Sequence, residues 1–587
     1  MPRHRWLLSL ALCALPLHTA AANDAGDRHQ QLLALFAEEW EFEARTQPEI
    51  ATTDWGINRY NDQLSDYSAE SLQAQYATRR TFAQRLGAIE PGGLSQEDQL
   101  NRELLQRRLE LAMRSYELKL HEMPIEPLWG FHIQPVLWMK GSPFHRVKDY
   151  ENYLARLTGL PRAFAQIIEL ARRGVRDKRV QPRYLLQKVV GQSAAMTVLG
   201  EKNPLAHPLS QFPATISEPE RQRLRAAILR SIDKEVVPAY RDFARFVAEE
   251  YANQGRAEPG LWALPDGDTL YRFCVREHTT TELSPDEIHE IGKRSVTEIE
   301  EEMTALAKRQ GYKDLAAYRA ALKGNPQQYA RSREQILEQY RLYIGKMAGQ
   351  VATLFGTQPR AELVVEAVEP FREKESGQAM YYLGAADGSR KGRVVVNTRD
   401  HAQQPLFVIE STAYHEGIPG HHFQLSLAQE QKDVPAHRQY ATYSAFMEGW
   451  ALYAERLGKE VGLYQDPAND YGRLTNEMVR SVRLVLDTGV HSKHWSRQQM
   501  VDYFRQHTAM DESYIQAETD RYIGWPGQAL AYKVGQLRLL ALRRQAESKL
   551  GSKWNLRAFH DQLLGSGSMP LDLLEKKMLR WIESQGH

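Results

Sequence analysis

Cysteine is nearly absent from this 587-residue chain, which contains only Cys13 and Cys274. Cys13 lies in an N-terminal apolar segment that we expect to be removed, so Cys274 would be left without an intramolecular partner. No disulfide bond would then stabilise the fold, and a chain of this length buries enough apolar surface to fold without one. We interpret Cys274 as a buried and unreactive thiol.

A strong excess of one charge is also lacking, because 75 lysines and arginines face 74 aspartates and glutamates. Loss of Arg3 and Arg5 with the N-terminal segment would change the net charge from +1 to −1. The two signs are mixed along the chain rather than grouped in blocks. This balance argues against nucleic acid or an anionic membrane surface as the main partner.

Long hydrophobic runs are missing except near the N-terminus, where basic residues at 3–5 precede the apolar residues 6–15 and the small residues 20–22. We predict that residues 1–22 are a cleaved signal peptide and that the protein is periplasmic or secreted. A lipoprotein is less favoured, because Leu12 is not the small residue expected before a lipid-modified Cys13. No run reaches the roughly 18 residues of a transmembrane helix, so no membrane anchor is expected.

Low-complexity linkers and internal repeats are absent, so residues 23–587 are predicted to form a single large unit, either as one body or as two lobes around a cleft. Helical signals dominate. A capping box at Ser284 and Glu287 begins one amphipathic helix, and Ser95–Met123 is predicted to be another. The valine-rich stretch within Tyr381–Thr398 predicts a small β-hairpin or sheet. The fold class is therefore mainly α.

The His-Glu-x-x-His pattern of zinc peptidases is absent, although His415-Glu416-Gly417-Ile418-Pro419-Gly420-His421-His422 contains the same residue types. Pro419 occupies the fourth position after His415 and prevents a regular helix there. If residues loop out, His421 becomes the second ligand. If the helix only kinks, His422 returns to the face of His415 after about two turns. The spacing leaves both alternatives open.

A third metal ligand is predicted at Glu448, on an apolar helix that follows the histidine cluster. A catalytic zinc ion needs three protein ligands and one open position, and two histidines with one glutamate satisfy this requirement. Glu455, seven residues later, would face the same way and could orient a ligating histidine. We therefore favour a Zn²⁺ site over a structural histidine cluster.

The histidine-rich stretch resembles the hallmark of the bacterial "domain of unknown function 885" family, and further similar motifs cover nearly the whole mature chain. The resemblance implies a zincin-like, oligopeptidase-like helical protein, distantly similar to the angiotensin-converting-enzyme, thimet-oligopeptidase and thermostable-carboxypeptidase groups. Those groups give His421 a slight preference over His422. The other similar motifs are Leu264–Gly267, His278–Thr280, Ser284–His289, Tyr381–Tyr382, Val394–Thr398, Glu448–Trp450, Asp487–His491 and Pro526–Ala529.

Catalytic roles follow from this interpretation. Glu416 would be the general base that takes a proton from water. His491, oriented by Asp487, and the phenols of Tyr522 and Tyr532 are candidates to stabilise the oxyanion, with ordinary core packing as the alternative. The predicted substrate-binding residues are Lys533, Gln528 and Tyr382, the last on a strand whose edge could bind an extended peptide.

The sequence thus predicts an exported zinc-dependent peptidase, either an exopeptidase or an oligopeptidase, that hydrolyses short peptides. One alternative is a metal- or peptide-binding protein without hydrolytic activity, in which the break at Pro419 moves Glu416 out of reach. A second alternative is a metal-dependent hydrolase of non-peptide amides. The sequence specifies neither the substrate sequence nor the oligomeric state.

Overall fold

The computed structural model describes residues 17–586, except 369–372, 374–376, 386, 387, 389 and 433. Residues 1–16 of the predicted signal peptide lie outside this range, as do residues 386, 387 and 389 of the stretch that we predicted to form a small hairpin or sheet. Among the described residues, no helix is both long enough and apolar enough to cross a bilayer.

The described chain is mainly helical, as the sequence predicted. The first half contains α1 (Leu17–Thr46), α2 (Pro48–Thr53), α3 (Ala69–Gly87), α4 (Gln96–Glu117), α5 (Gln134–Gly141), α6 (Val147–Arg176), α7 (Arg183–Ala195), α8 (Glu218–Ser231), α9 (Val237–Phe246), α10 (Gly267–Thr279), α11 (Pro285–Arg309) and α12 (Leu315–Gly324). The second half contains α13 (Arg333–Ala348), α14 (Val351–Leu354), α15 (Ile409–Glu416), α16 (His421–Gln429), α17 (Ala436–Gln439), α18 (Ser444–Glu460), α19 (Pro467–His491), α20 (Arg497–His507), α21 (Glu512–Gly524), α22 (Ala531–Leu550), α23 (Leu556–Leu564) and α24 (Leu571–Gly586).

Helix starts follow the predicted capping chemistry, whereas one helix end does not. Ser284 and Glu287 form a reciprocal capping box at the start of α11, which confirms that prediction. The predicted helix Ser95–Met123 is too long, because α4 ends at Glu117. Lys119 adopts a left-handed backbone conformation with φ of 58°, which a helix cannot accommodate, and a short 3₁₀ turn follows.

The predicted strand region contributes two strands of a three-stranded sheet, and the third strand, which was not predicted, comes from the preceding segment. The strands of the sheet are β1 (Leu363–Ala367), β2 (Ala379–Tyr382) and β3 (Gly392–Val396), in the order β1-β3-β2. β3 pairs in parallel with β1 and antiparallel with β2. β3 is the central strand, and its valines are buried. Because the order is β1-β3-β2, β2 forms one edge of the sheet.

Cys274 is buried within the largest hydrophobic cluster, as predicted. Burial raises the pKa of its thiol well above the usual range. This cluster joins α10, α18, α22 and the C-terminal helices, while a second cluster formed by residues 125–252 contains α6 to α9.

Helices α18 and α22 pack in close contact, and glycines make this possible. A Cβ atom on Gly535 of α22 would collide with the carbonyl oxygen of Ala445 in α18. Gly449 of α18 lies directly against the backbone of Gly535. Because Glu448 precedes Gly449, this contact fixes the position of the predicted third metal ligand.

We expect Gly535→Ala to lower the free energy of unfolding by about 1–3 kcal/mol, because the added methyl group meets backbone that cannot move aside. Chemical denaturation followed by circular dichroism measures this loss. Gly345→Ala is the matched control: Gly345 lies in α13 with no atom near its Cβ position, and the substitution should stabilise the helix by up to about 1 kcal/mol. Equal stability of the two variants would contradict the prediction.

Candidate metal centre

The histidine-rich stretch breaks the helix rather than kinking it. α15 ends at Glu416, residues 417–420 form a loop with a cis Ile418–Pro419 peptide, and α16 begins at His421. Gly420 lies so close to the carbonyl oxygens of Tyr414 and His415 that a Cβ atom would not fit. The indole N–H of Trp450 donates a hydrogen bond of 2.8 Å to the carbonyl oxygen of Pro419 and holds the loop against α18.

His415, His421 and Glu448 meet at this break, with one ligand atom from each residue within 4.8 Å of the others. Oε2 of Glu448 lies 3.4 Å from Nε2 of His415 and 3.5 Å from Nε2 of His421. Bonds of 2.0–2.1 Å from a tetrahedral ion imply ligand separations of about 3.3–3.4 Å, so these distances fit such an ion. This Oε2 atom is buried without a hydrogen-bond partner, which is also consistent with a ligand atom.

Glu455 orients the first histidine. Its Oε1 atom lies 2.8 Å from Nδ1 of His415, and its side chain is 1% exposed. With Nδ1 engaged, Nε2 of His415 is the nitrogen that faces Glu448. The hydrogen bond that the sequence predicted for Glu455 is therefore present, and it has the geometry of a carboxylate supporting a metal ligand.

The kinked-helix alternative, with His422 as the second ligand, is wrong. Since α16 starts at His421, His422 is rotated by about 100° around the new helix and points away from His415. Its Nδ1 atom lies 3.1 Å from the hydroxyl group of Tyr381. Burial lowers the pKa of His422 to about 4, so its ring is neutral.

Glu416 lies beside the three clustered side chains and is partly exposed. Its Oε2 atom accepts a hydrogen bond of 2.9 Å from the backbone N–H of Tyr381, on the edge strand β2. Burial raises the pKa of this carboxyl group, against the opposing effect of His415 and His421. A carboxylate whose proton affinity is raised in this way suits a general base.

The charges within the cluster are strongly coupled. Burial alone would lower the pKa of His415, but its contacts with Glu448 and Glu455 outweigh burial and raise this pKa to about 9. Burial alone would raise the pKa of Glu448, yet the nearby rings of His421 and His415 hold it well below its usual range. The carboxylate of Glu448 is therefore ionised, and His415 carries a proton that a bound cation would displace.

His491 is not part of this site. Its ring is fully buried, Nδ1 accepts a hydrogen bond from the backbone N–H of Leu261, and Nε2 lies 3.0 Å from the carbonyl oxygen of Tyr522. Asp487 does not orient this ring, because it binds the hydroxyl group of Tyr271 and the backbone N–H of Gly527. The prediction of a catalytic Asp487–His491 pair is wrong, since both residues connect backbone segments.

Tyr522 and Lys533 are also unavailable for catalysis. The hydroxyl group of Tyr522 donates to Glu518 at 2.6 Å and accepts from Nε of Arg483 at 2.9 Å. Nζ of Lys533 donates to Glu477 at 2.7 Å and to Gln536 at 2.8 Å, deep in the core. The roles predicted for Tyr522 and Lys533 are corrected to structural ones.

Tyr532 lies near the cluster and is partly exposed. It lies on α22 one turn before Gly535, which packs against Gly449, the residue after Glu448. Burial raises the pKa of its phenol, and the negative charge of Glu448 raises it further. Gln528 accepts a hydrogen bond of 2.6 Å from Arg521 and also contacts Tyr532. Tyr382 lies on β2 with the guanidinium group of Arg393 5.5 Å from its ring centre.

Three arginines that were not predicted as site residues, Arg480, Arg483 and Arg521, lie on α19 and α21. The guanidinium group of Arg483 lies 4.5 Å from the centre of the Tyr532 ring. The sequence holds only a weak signal, because Arg480 and Arg483 interrupt the largely apolar segment Met478–Leu486 of α19.

Residues 48–578 match the family model described as bacterial protein of unknown function (DUF885). The chain belongs to this family. The description names no activity, so the expected kinship with metallopeptidases stays a prediction. No curated protein matches the chain.

Two solved structures have folds similar to that of this DUF885 member. A candidate lipoprotein from Colwellia psychrerythraea matches with a TM-score of 0.90 and 28% identity, over 95% of this chain and 100% of that one. A candidate lipoprotein of unknown function from Shewanella oneidensis matches with a TM-score of 0.72 and 16% identity, over 94% of this chain and 99% of that one. At the lower identity, the likeness concerns the fold alone.

We expect His421→Ala to weaken binding of a divalent ion by more than about a hundredfold. Loss of a residue that only hydrogen-bonds to a metal ligand already weakens binding by up to about a hundredfold, and loss of a ligand should weaken it more. His422→Ala is the matched control and should retain the ion, because its ring faces Tyr381. Metal content after dialysis, measured by mass spectrometry, distinguishes the two. Loss of the ion from the His422 variant alone would reverse our assignment.

Divalent-ion affinity should rise with pH. A ligating histidine must be neutral, and the pKa of His415 is about 9 without an ion, so below that pH binding must release a proton. We expect affinity to increase about tenfold per pH unit near neutrality. Calorimetry in buffers of different ionisation enthalpy counts the released protons.

Glu455→Gln tests the origin of this pH dependence. Removing this carboxylate lowers the pKa of His415, so the pH-dependent range should move to lower pH. An affinity that is independent of pH in the unaltered protein would contradict the assignment of His415 as a ligand.

Proposed function

We propose that this protein is an exported zinc-dependent peptidase that hydrolyses short peptides. The observation that supports this proposal best is the convergence of His415, His421 and Glu448, with the partly exposed carboxylate of Glu416 beside them. A site that only stores a metal has no use for an additional carboxylate of raised pKa at that position.

His415, His421 and Glu448 would hold the zinc ion, with Glu455 supporting His415. Zinc supplies Lewis-acid chemistry, since it allows water to lose a proton near neutral pH and polarises a peptide carbonyl. Three protein ligands leave one coordination position for these tasks.

Glu416 is the proposed proton-transfer residue. This carboxylate would take a proton from the attacking water and then deliver it to the amine that leaves. The hydrogen bond from the backbone N–H of Tyr381 occupies Oε2, so Oε1 is the atom available for the proton. Tyr532, with its partly exposed phenol beside Glu448, is our candidate donor to the developing oxyanion.

The arrangement of elements supports a zincin-like interpretation of the fold. A broken helix supplies two histidines, a following helix supplies the glutamate, and the edge strand β2 contacts the proposed base. An extended peptide bound along this edge would pass directly over Glu416.

Export is supported by the predicted signal peptide and by the solved structures of the same fold, which are described as candidate lipoproteins. We favour a periplasmic or secreted protein. A lipid anchor on Cys13 is the alternative, and the mass of the mature N-terminus distinguishes the two.

Glu416→Gln should reduce peptide cleavage by about 10²–10⁴-fold while zinc binding is retained, because the variant loses the base but keeps all three ligands. Cleavage of a mixed peptide library by the zinc-loaded mature protein, followed by mass spectrometry, measures this loss. Glu460→Gln, on α18 but paired with Arg543 away from the site, is the control and should cleave normally.

Other outcomes would select among the alternatives. Bound zinc without cleavage by any form would indicate a metal- or peptide-binding protein, and cleavage of small amides but no peptides would indicate a hydrolase of non-peptide amides. Full activity of Glu416→Gln would exclude Glu416 as the base.

A further inference from the structure

Helix α19 contains two groups of buried charges that differ in their balance. In its first half, Arg473 pairs with Asp470, Glu477 and Glu302, while Glu477 also binds Lys533. Every cation there has a carboxylate partner. A buried network of this kind is internally compensated and needs no ligand.

The second half of α19 is not compensated. Arg480 and Arg483 lie one turn apart on α19, and Arg521 of α21 binds the same carboxylate as Arg483. Glu518 is the acid that binds this group: it accepts from Arg483 at 2.9 Å and from Nε and Nη2 of Arg521 at 2.9 Å each. Among the described residues, Glu518 is thus the carboxylate that pairs with both Arg483 and Arg521, and no carboxylate pairs with Arg480.

Two guanidinium atoms in this group have no hydrogen-bond partner among the described residues. They are Nη1 of Arg483 and Nε of Arg480. Arg483 is only 6% exposed. A buried donor on a charged group that stays unsatisfied is costly, so such atoms are expected where a ligand completes the site.

The arginines lie on the side of α19 that faces the metal centre. Asn476, Arg480 and Arg483 are spaced by four and three residues and so share one helix face. Asn476 donates to Ser411 at 2.6 Å and to Thr412 at 3.3 Å, on the turn of α15 that precedes His415. Arg483 in turn contacts the ring of Tyr532, which lies on α22 one turn before Gly535, where α22 packs against Gly449 next to Glu448.

We propose that Arg480 and Arg483 form a carboxylate-binding subsite that holds a carboxylate of the substrate while the adjacent peptide bond lies at the metal centre. This inference rests on the proposed peptidase function. Guanidinium groups bind carboxylates through paired, charge-assisted hydrogen bonds, and the two unpartnered donors provide them. The carboxylate comes either from the C-terminus of the peptide, which gives a carboxypeptidase, or from an acidic side chain.

The test is equilibrium binding to the zinc-loaded full-length Glu416→Gln variant, which separates binding from cleavage. Three N-terminally labelled alanine peptides serve as probes: the free acid, the C-terminal amide, and an amide whose last residue is glutamate. We expect the free acid to bind at least about tenfold more tightly than the plain amide. Tighter binding of the glutamate amide than of the free acid would identify an acidic side chain as the recognised group.

Substitutions assign the effect to residues. Arg480→Gln and Arg483→Gln should each remove the preference for the acid. Arg480→Gln is the safer variant for folding, because among the described residues the Arg480 side chain donates only to the carbonyl oxygen of Asn476 in its own helix. Arg505→Gln, which removes an exposed arginine paired with Glu512, should keep the preference.

The two proposals fail in different ways. Equal binding of all three peptides, or an acid preference that survives both arginine substitutions, would overturn the subsite. If the otherwise unaltered protein cleaves peptides without regard to their C-terminal group, the peptidase proposal stands and the subsite falls. If it cleaves nothing but the arginine-dependent preference persists, the subsite stands and the peptidase proposal falls.

Discussion

The close contact between α18 and α22 determines where the site can form. Gly449 and Gly535 allow the two backbones to approach until no side chain fits between them. Glu448 and Tyr532 lie next to this contact on either helix, so the same packing presents a carboxylate and a phenol to one place. Trp450, one position after Gly449, holds the loop at Pro419 and thereby fixes His415 and His421 relative to Glu448.

A broken helix therefore replaces the regular turn that a His-Glu-x-x-His pattern would need. Two short helices, α15 and α16, each supply one histidine, and the loop between them sets the separation of the two rings. The cost of the break is offset by contacts to neighbouring elements. β2 binds Glu416, Glu455 binds His415 and α18 binds the loop, so each site residue is positioned by a different part of the fold.

Local signals in the sequence predicted much of the site. Pro419 predicted a break in the helix, and the spacing left His421 and His422 as the two alternatives for the second ligand. Glu448 and Glu455 were predicted together because they lie seven residues apart on one apolar helix. The structure brings His421 next to His415 and Glu448, because the helix restarts at His421. The capping box at Ser284 was predicted for the same reason, since its chemistry lies within four residues.

Predictions failed where a residue's partner comes from a distant segment. Nothing near Lys533 in sequence reveals that Glu477 neutralises it, and nothing near His491 reveals its bond to the backbone of Leu261. The end of α4 was misplaced because the left-handed conformation of Lys119 is not a common property of lysine. Arg483 was not predicted, because the lack of a hydrogen-bond partner for its Nη1 atom can be recognised only in the folded structure.

The charge distribution connects the two proposals. Glu416, Glu448 and Glu455 place three carboxylates at the site, and a divalent ion would leave one negative charge uncompensated. The arginine group on α19 and α21 contributes two positive charges beyond those that Glu518 balances. Together they leave one positive charge, and a single substrate carboxylate neutralises it. Because unpaired charges are costly in a partly dry site, this balance favours a substrate that is anionic at the end facing α19 and neutral at the bond that is cleaved.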